Sequence, residues 1–221
     1  MSALIPNPFS LPPKNSYNGA MPPSPRPRRT QAERTQQRKE QLIRAAIRYF
    51  GQYGYHGAKL SEIARAAGVT EPGLLHHFPS KEQLLMDVLA ERDRLDRQRF
   101  DPSVPGQAGG VLAALQALDE YNQSVPGLVQ LFTMLVAESV EQAHPGHAYF
   151  LQRYQDLRKD YTPLVQAGQA RGEIRQDIPA EDLVRLLFAL MDGLQIQWLY
   201  EPESFPMAKL FDQFVKLLKP V

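Results

Sequence analysis

Residues 60–81 constrain this chain more than any other stretch. They read Leu-Ser-Glu-Ile-Ala-Arg-Ala-Ala-Gly-Val-Thr-Glu-Pro-Gly-Leu-Leu-His-His-Phe-Pro-Ser-Lys. Ile63, Ala64 and Ala67 form the buried stripe of a helix over about 60–67, and Gly68-Val69-Thr70 is a turn. Thr70 is a good N-cap, and Pro72 falls early in the next helix, where a missing N–H does no harm. That helix is short, about 71–78, and Pro79 closes it. Ala64 is small where the two helices must cross, and Gly68 can take the left-handed conformation that ends the first of them. Val69 and Leu74 are spaced to fill the space under the turn. Two short helices joined in this way make a helix-turn-helix. Its second helix is shaped to lie in a DNA major groove, with its N-terminal residues at base edges.

The flanks predict an all-α fold. Leu42, Ile43, Ala46, Ile47 and Phe50 recur at helical spacing from Thr30 onward, with Arg38, Lys39, Arg44 and Arg48 mostly on other faces. Gly51, Gly54 and Gly57 mark the end of that helix. Ser80 caps a fourth helix, with Gln83 three residues on as a capping box, and this helix runs to about Phe100. After a loop rich in Pro and Gly come helices at about 111–124, 127–142, 148–171, 180–200 and 205–219. No segment shows sustained strand alternation, and no repeat of fixed period occurs. The expected architecture has about nine helices. A three-helix helix-turn-helix domain spans 30–80, and a helical effector-binding and dimerisation domain spans 81–221.

Residues 1–29 hold 8 of the 19 prolines and no acid, which predicts a disordered leader ending in the basic run Arg26-Pro27-Arg28-Arg29. Met21 is an alternative start. The three arginines are either plain solvated charge or an arm over the DNA backbone or in the minor groove.

Charge separates along the chain. Residues 1–81 carry 12 Lys/Arg against 4 Asp/Glu, while residues 82–221 carry 13 against 20. A basic first third on an acidic body is the asymmetry expected when one end meets a polyanion. The absence of cysteine excludes disulfides, thiolate nucleophiles and Cys-ligated metal sites, and fits a reducing compartment. No apolar run approaches the ~18–20 residues that span a bilayer. No basic n-region followed by an apolar h-region opens the chain. The expected location is the cytoplasm, on the nucleoid when bound to DNA.

Taken together, Ala46, Phe50, Gly54, Ile63-Ala64, Ala67-Gly68-Val69, Leu74, His77-Phe78, Ser80-Lys81-Glu82 and Leu84-Leu85 resemble the DNA-binding domain of the TetR/AcrR family of bacterial transcriptional regulators. The resemblance covers about residues 35–88 and is specific, because many positions match at fixed spacing. The body is similar more weakly. Asp192-Gly193-Leu194, Gln197-Trp198-Leu199 and Glu201-Pro202 resemble the subgroup with a BetI-like C-terminal domain.

The resemblance implies roles by position. Lys59, Leu60 and Ser61, at the start of the second helix, contact DNA. Thr70, Glu71, Pro72, Leu75, His76 and His77 belong to the recognition helix. Lys81 binds a phosphate. The family often has Thr or Ser at positions 58 and 59, which would cap the second helix, and Tyr at positions 75 and 76; this chain departs at all four. Leu75 can pack on a thymine methyl, and Glu71 either accepts from cytosine N4 or repels phosphates.

The helix over 183–199 is apolar almost all round, so it needs cover on most sides. A second copy of the chain is the simplest cover for the outer face. In family terms Leu183, Leu187, Leu190 and Leu194 then pack with Leu210, Phe211, Phe214, Val215 and Leu218 of the last helix into a four-helix dimer bundle; the other reading is a central helix of a monomer. Of the aromatics in the body, Tyr121, Phe132, Tyr154 and Trp198 are the expected lining of a ligand cavity, although aromatics at helical spacing are ordinarily core.

Glu138, Glu141, His144 and His147 recur every three residues, a spacing that can hold a metal on one helix face. Pro145-Gly146 interrupts that helix, so the expectation is a solvated helix end and loop with no metal. No nucleophile–base pair or Gly-rich phosphate loop is present, which argues against an enzyme and against a cofactor. The function these features predict is a homodimeric, sequence-specific DNA-binding regulator. In that reading it is a repressor released from a palindromic double-stranded operator by a small-molecule effector. The alternative is a DNA-binding regulator without such an effector, either architectural or controlled by a protein.

Overall fold

A computed structural model describes residues 30–100 and 110–220, and all regular structure among them is helical. The helices are α1 (Gln31–Gly57), α2 (Leu60–Ala66), α3 (Glu71–His77), α4 (Lys81–Phe100), α5 (Gly110–Ser124), α6 (Pro126–Glu138), α7 (His147–Ala170), α8 (Ala180–Tyr200) and α9 (Met207–Leu217). The expected leader with its arginine arm, and the loop over 101–109, lie outside the described residues.

Local chemistry sets the helix starts. Thr30 Oγ1 accepts the Glu33 N–H at 3.2 Å while the Glu33 carboxylate accepts the Thr30 N–H at 2.7 Å, a reciprocal cap worth about 1 kcal/mol. Lys59 caps α2 without any side-chain hydrogen bond, as its lack of a hydroxyl requires. Gly68 has φ +71°, the left-handed conformation that the turn after α2 demands. Ser80 Oγ accepts the Gln83 N–H at 3.1 Å, but the Gln83 side chain turns forward to Asp87 at 2.7 Å. The expected capping box is therefore only half formed.

Two apolar cores result. Leu42, Phe50, Ile63, Leu74 and Phe78 hold α1–α3 together, and the same cluster runs on through Leu84, Leu85 and Leu89 of α4 into Leu131 and Leu135 of α6. The helix-turn-helix head is thus joined to the body by α6 packed along α1 as well as by the long α4. The α1–α6 approach is close: a Cβ on Gly51 would lie 3.2 Å from the Leu131 backbone nitrogen. The second core gathers α5, α7, α8 and α9 around Leu115, Val165, Leu187, Trp198 and Phe211.

Two expectations for the body need correction. The sixth helix stops at Glu138 rather than about residue 142, and tight turns carry the chain to α7. His144 is not in a solvated loop. It is 3% exposed, its Nδ1 accepts the Gly146 N–H at 3.0 Å, and the Ser139 hydroxyl lies 2.9 Å away. Those contacts take over where helical hydrogen bonding ends. Among the described residues no group of three or more His, Asp or Glu side chains is placed to hold a metal.

Candidate nucleic-acid interface

The recognition helix divides cleanly into two faces. Leu74 and the capping Phe78 are fully buried, whereas Glu71, Pro72, Leu75 and His76 are exposed. Positions 71, 72, 75 and 76 fall on one side of a helix, so a single surface carries all four. Leu75 is a large aliphatic group 36% exposed there, available to a base methyl. Thr70 Oγ1 accepts the Gly73 N–H at 3.2 Å and fixes the start of α3. Lys59 and Ser61 are exposed at the start of α2, and Leu60 is half-buried against the head core.

His77 is half-buried, and its ring centroid lies 5.5 Å from that of His76. Burial, and then the neighbouring charges of His76, Lys39 and Arg38, push its pKa below the ordinary histidine value. Both the burial and those cations disfavour its charged form. Arg38 and Lys39 of α1 stand beside it, and the sequence reading assigned them no role. Arg38 Nη1 donates to the Ala67 carbonyl at 3.3 Å, closing the end of α2. Only the tertiary fold brings the first helix beside the third, so no local spacing could have marked them.

Lys81 sits at the first residue of α4. Its Nζ donates to the His56 carbonyl at 3.3 Å and lies 4.8 Å from the centre of the Tyr55 ring. Burial lowers its pKa, while Glu82 and Glu138 pull the other way.

The residues expected to line a ligand cavity are divided by the structure. Phe132 and Tyr121 belong to the first core and Trp198 to the second. Phe132 lies in a polar cluster between α4, α6 and α7. The Arg92 guanidinium is 3.9 Å and that of Arg153 5.2 Å from its ring centre. Asp93 accepts from Arg153 and from the Tyr149 hydroxyl. Close by, the Tyr154 hydroxyl donates to Asp192 at 2.6 Å, on the wall of a groove of about 360 Å³ between α7 and α8.

The residues expected at a dimer face also separate. Leu183, Leu187, Leu194 and Phe211 are 0–5% exposed inside the subunit's own core, which removes them from a free surface. Leu190 and Phe214 are half-buried. Leu210, expected in the same bundle, is exposed, and so are Leu186, Ala189, Ile196 and Tyr200 of α8 and Leu217 of α9.

A basic helix-turn-helix head with a solvent-facing recognition helix, borne on a larger helical body, defines a DNA-binding transcriptional regulator. The family described as bacterial regulatory proteins, tetR family, matches residues 42–88, and the BetI-type transcriptional repressor C-terminal domain matches residues 110–218. The chain belongs to the TetR family. It is 28% identical over 194 residues to the HTH-type transcriptional repressor BepR of Brucella suis, covering 81% of this chain and 88% of that protein. Two solved structures share the fold. One is a transcriptional regulator from Saccharomonospora viridis in complex with choline, at TM-score 0.69 and 22% identity over 82% of this chain and 96% of that one. The other is FadR from Bacillus subtilis in complex with stearoyl-CoA, at TM-score 0.67 and 17% identity over 80% and 96%.

Proposed function

We propose that the protein is a cytoplasmic, homodimeric repressor that leaves a palindromic operator when a small organic molecule binds its body. The observation that carries the DNA half of this reading is the single exposed face of α3, with Lys59 and Ser61 exposed at the start of α2 and Lys81 at the start of α4. Glu71, Pro72, Leu75 and His76 read base edges, Thr70 and His77 border them, and Lys81 neutralises a phosphate. Leu60 supports the start of α2 from below. Residues 30–80 act as the reading head and residues 81–221 as the effector-binding and dimerising body. The exposed stripe on α8 and α9 meets its own copy across a two-fold axis, so operator half-sites repeat one helical turn or more apart. Among the described residues no helix is long and apolar enough to cross a membrane.

Lys81→Ala is expected to weaken binding to all DNA sequences alike and to flatten the salt dependence by about one counterion. Leu75→Ala or Glu71→Ala is expected to change sequence preference with the salt slope intact. Binding titrations from 50 to 200 mM salt on operator and random duplex separate the two patterns. A changed preference with an unchanged slope in Lys81→Ala removes it from the phosphate contacts.

The effector half rests on the buried polar cluster around Phe132. Arg92, Arg153, Asp93 and the Tyr154–Asp192 pair offer donors and acceptors, while Phe132 and Phe150 offer apolar area. A ligand with a polar head and an apolar body fits such a lining. The choline and stearoyl-CoA complexes of the two structural neighbours support a body of this fold as a small-molecule receptor. The test is a reciprocal titration. A compound that releases the operator must lose affinity by the same factor when operator is present, with a coupling of roughly 1–3 kcal/mol. Failure across a broad library leaves a regulator without a small-molecule effector.

A further inference from the structure

Helix α1 is broken three residues before its end. At Gly54 the backbone leaves the helix, with φ 68° and ψ −178°, and resumes for one last turn to Gly57. A restarted turn strands N–H groups as any helix start does. The Tyr55 N–H finds its partner 83 residues further on: it donates to Glu138 Oε2 at 2.6 Å, from the last residue of α6. The carboxylate occupies the space that a side chain at position 54 would fill, since a Cβ there would lie 1.9 Å from Glu138 Oε1. Gly54 is needed both for its φ and for that approach.

His144 walls in the carboxylate. Its Nδ1 accepts the Gly146 N–H, so the ring proton sits on Nε2, 3.7 Å from Glu138 Oε2. Burial lowers the His144 pKa, against the pull of Glu138. Tyr55 lies against it, ring centres 5.0 Å apart, and is itself 6% exposed. The Tyr55 hydroxyl donates to Glu82 Oε1 at 2.8 Å in the first turn of α4, and the face of its ring carries the Lys81 ammonium. A continuous set of contacts therefore runs from the end of α6 in the body, through the last turn of α1, to the start of α4.

We propose that Glu138 is a positioning residue for DNA binding. By capping the break in α1 it fixes Tyr55, and Tyr55 fixes where Lys81 presents its ammonium to the DNA backbone. The grip of the head on DNA then depends on where the end of α6 stands. This rests on the reading of Lys81 as a phosphate contact.

Two variants separate the contact from the charge. Glu138→Gln keeps an acceptor for the Tyr55 N–H and drops the charge, whereas Glu138→Asp keeps the charge and falls one methylene short. The readout is the salt slope of operator binding by the full-length protein, which a general loss of folded protein does not move. Glu138→Gln is expected to keep the wild-type slope. Glu138→Asp is expected to bind several-fold more weakly, with a slope flatter by about one counterion, like Lys81→Ala. Combining it with Lys81→Ala is expected to add nothing further. A wild-type slope in Glu138→Asp, equal damage in both variants, or additive losses in the double variant overturns the proposal. A wild-type slope in Lys81→Ala itself overturns instead the reading on which it rests.

Discussion

Asp119→Asn is expected to stabilise the protein at pH 8 relative to the wild type, and to do so much less at pH 4. Asp119 lies on α5 facing α9, with no exposed surface and no hydrogen-bond partner for either carboxylate oxygen. Burial pushes its pKa from the ordinary 3.8 up to about 7, and the nearby acids Asp212 and Glu120 push the same way. Gln116 does not relieve it, since its amide is spent on Asp212 at 2.7 Å. Because the folded pKa is the raised one, the folded state binds the proton more tightly. Stability therefore falls as pH rises from about 4 to about 7 and is level above that window. The fall across that window is at most about 4 kcal/mol. Asparagine cannot ionise, so the stability difference between variant and wild type opens across the same window. The asparagine amide is itself left without partners, which lowers the whole curve without changing its shape. Urea unfolding at intervals from pH 4.5 to 8.5 measures the difference. A difference independent of pH shows that Asp119 does not titrate in the folded protein.

The helix-turn-helix was legible because each of its requirements is local. Thr70 caps, Gly68 turns, and Ala64, Val69 and Leu74 fill the angle, all within a dozen residues. The residues expected on the recognition face came instead from the resemblance to the TetR family, position by position. What escaped was whatever depends on one element meeting a distant one. Glu138 read as part of a metal-like period in a solvated helix end, yet its partner is a backbone N–H in α1. Arg38 and Lys39 read as charge mostly off the apolar face of the first helix, yet their charges act on His77. Gln83 satisfied a capping pattern that its side chain does not make, because Asp87 one turn on competes for it. The apolar helix over 183–199 was recognisable as needing cover on two sides, but periodicity does not say which side faces the subunit's own core. Leu187 and Leu186 differ by 100° around the helix, and only packing against α7 and α9 decides between them.

That choice gives the largest contrast between two single substitutions. Leu187 is 2% exposed among Leu183, Met191 and Trp198, so Leu187→Glu buries an unpaired carboxylate within the subunit and costs several kcal/mol. Its expected outcome is unfolding, seen as lost helical circular dichroism. Ile196 stands on the opposite side of α8 at 46% exposure, in line with Leu186, Ala189 and Tyr200 at helical spacing. Leu210 and Leu217 are exposed on α9. In the proposed two-fold dimer each such residue is used twice, so Ile196→Glu would place two carboxylates in one apolar interface while leaving the isolated subunit intact. Its expected outcome is a folded monomer. A monomer carries one reading head, and losing the tethered second head is expected to lower operator affinity roughly a hundredfold or more. Light scattering coupled to gel filtration gives the mass, circular dichroism gives the fold, and footprinting shows whether one half-site or two are protected. A folded, fully dimeric Ile196→Glu protein that still protects both half-sites would place the dimer contact somewhere other than this stripe.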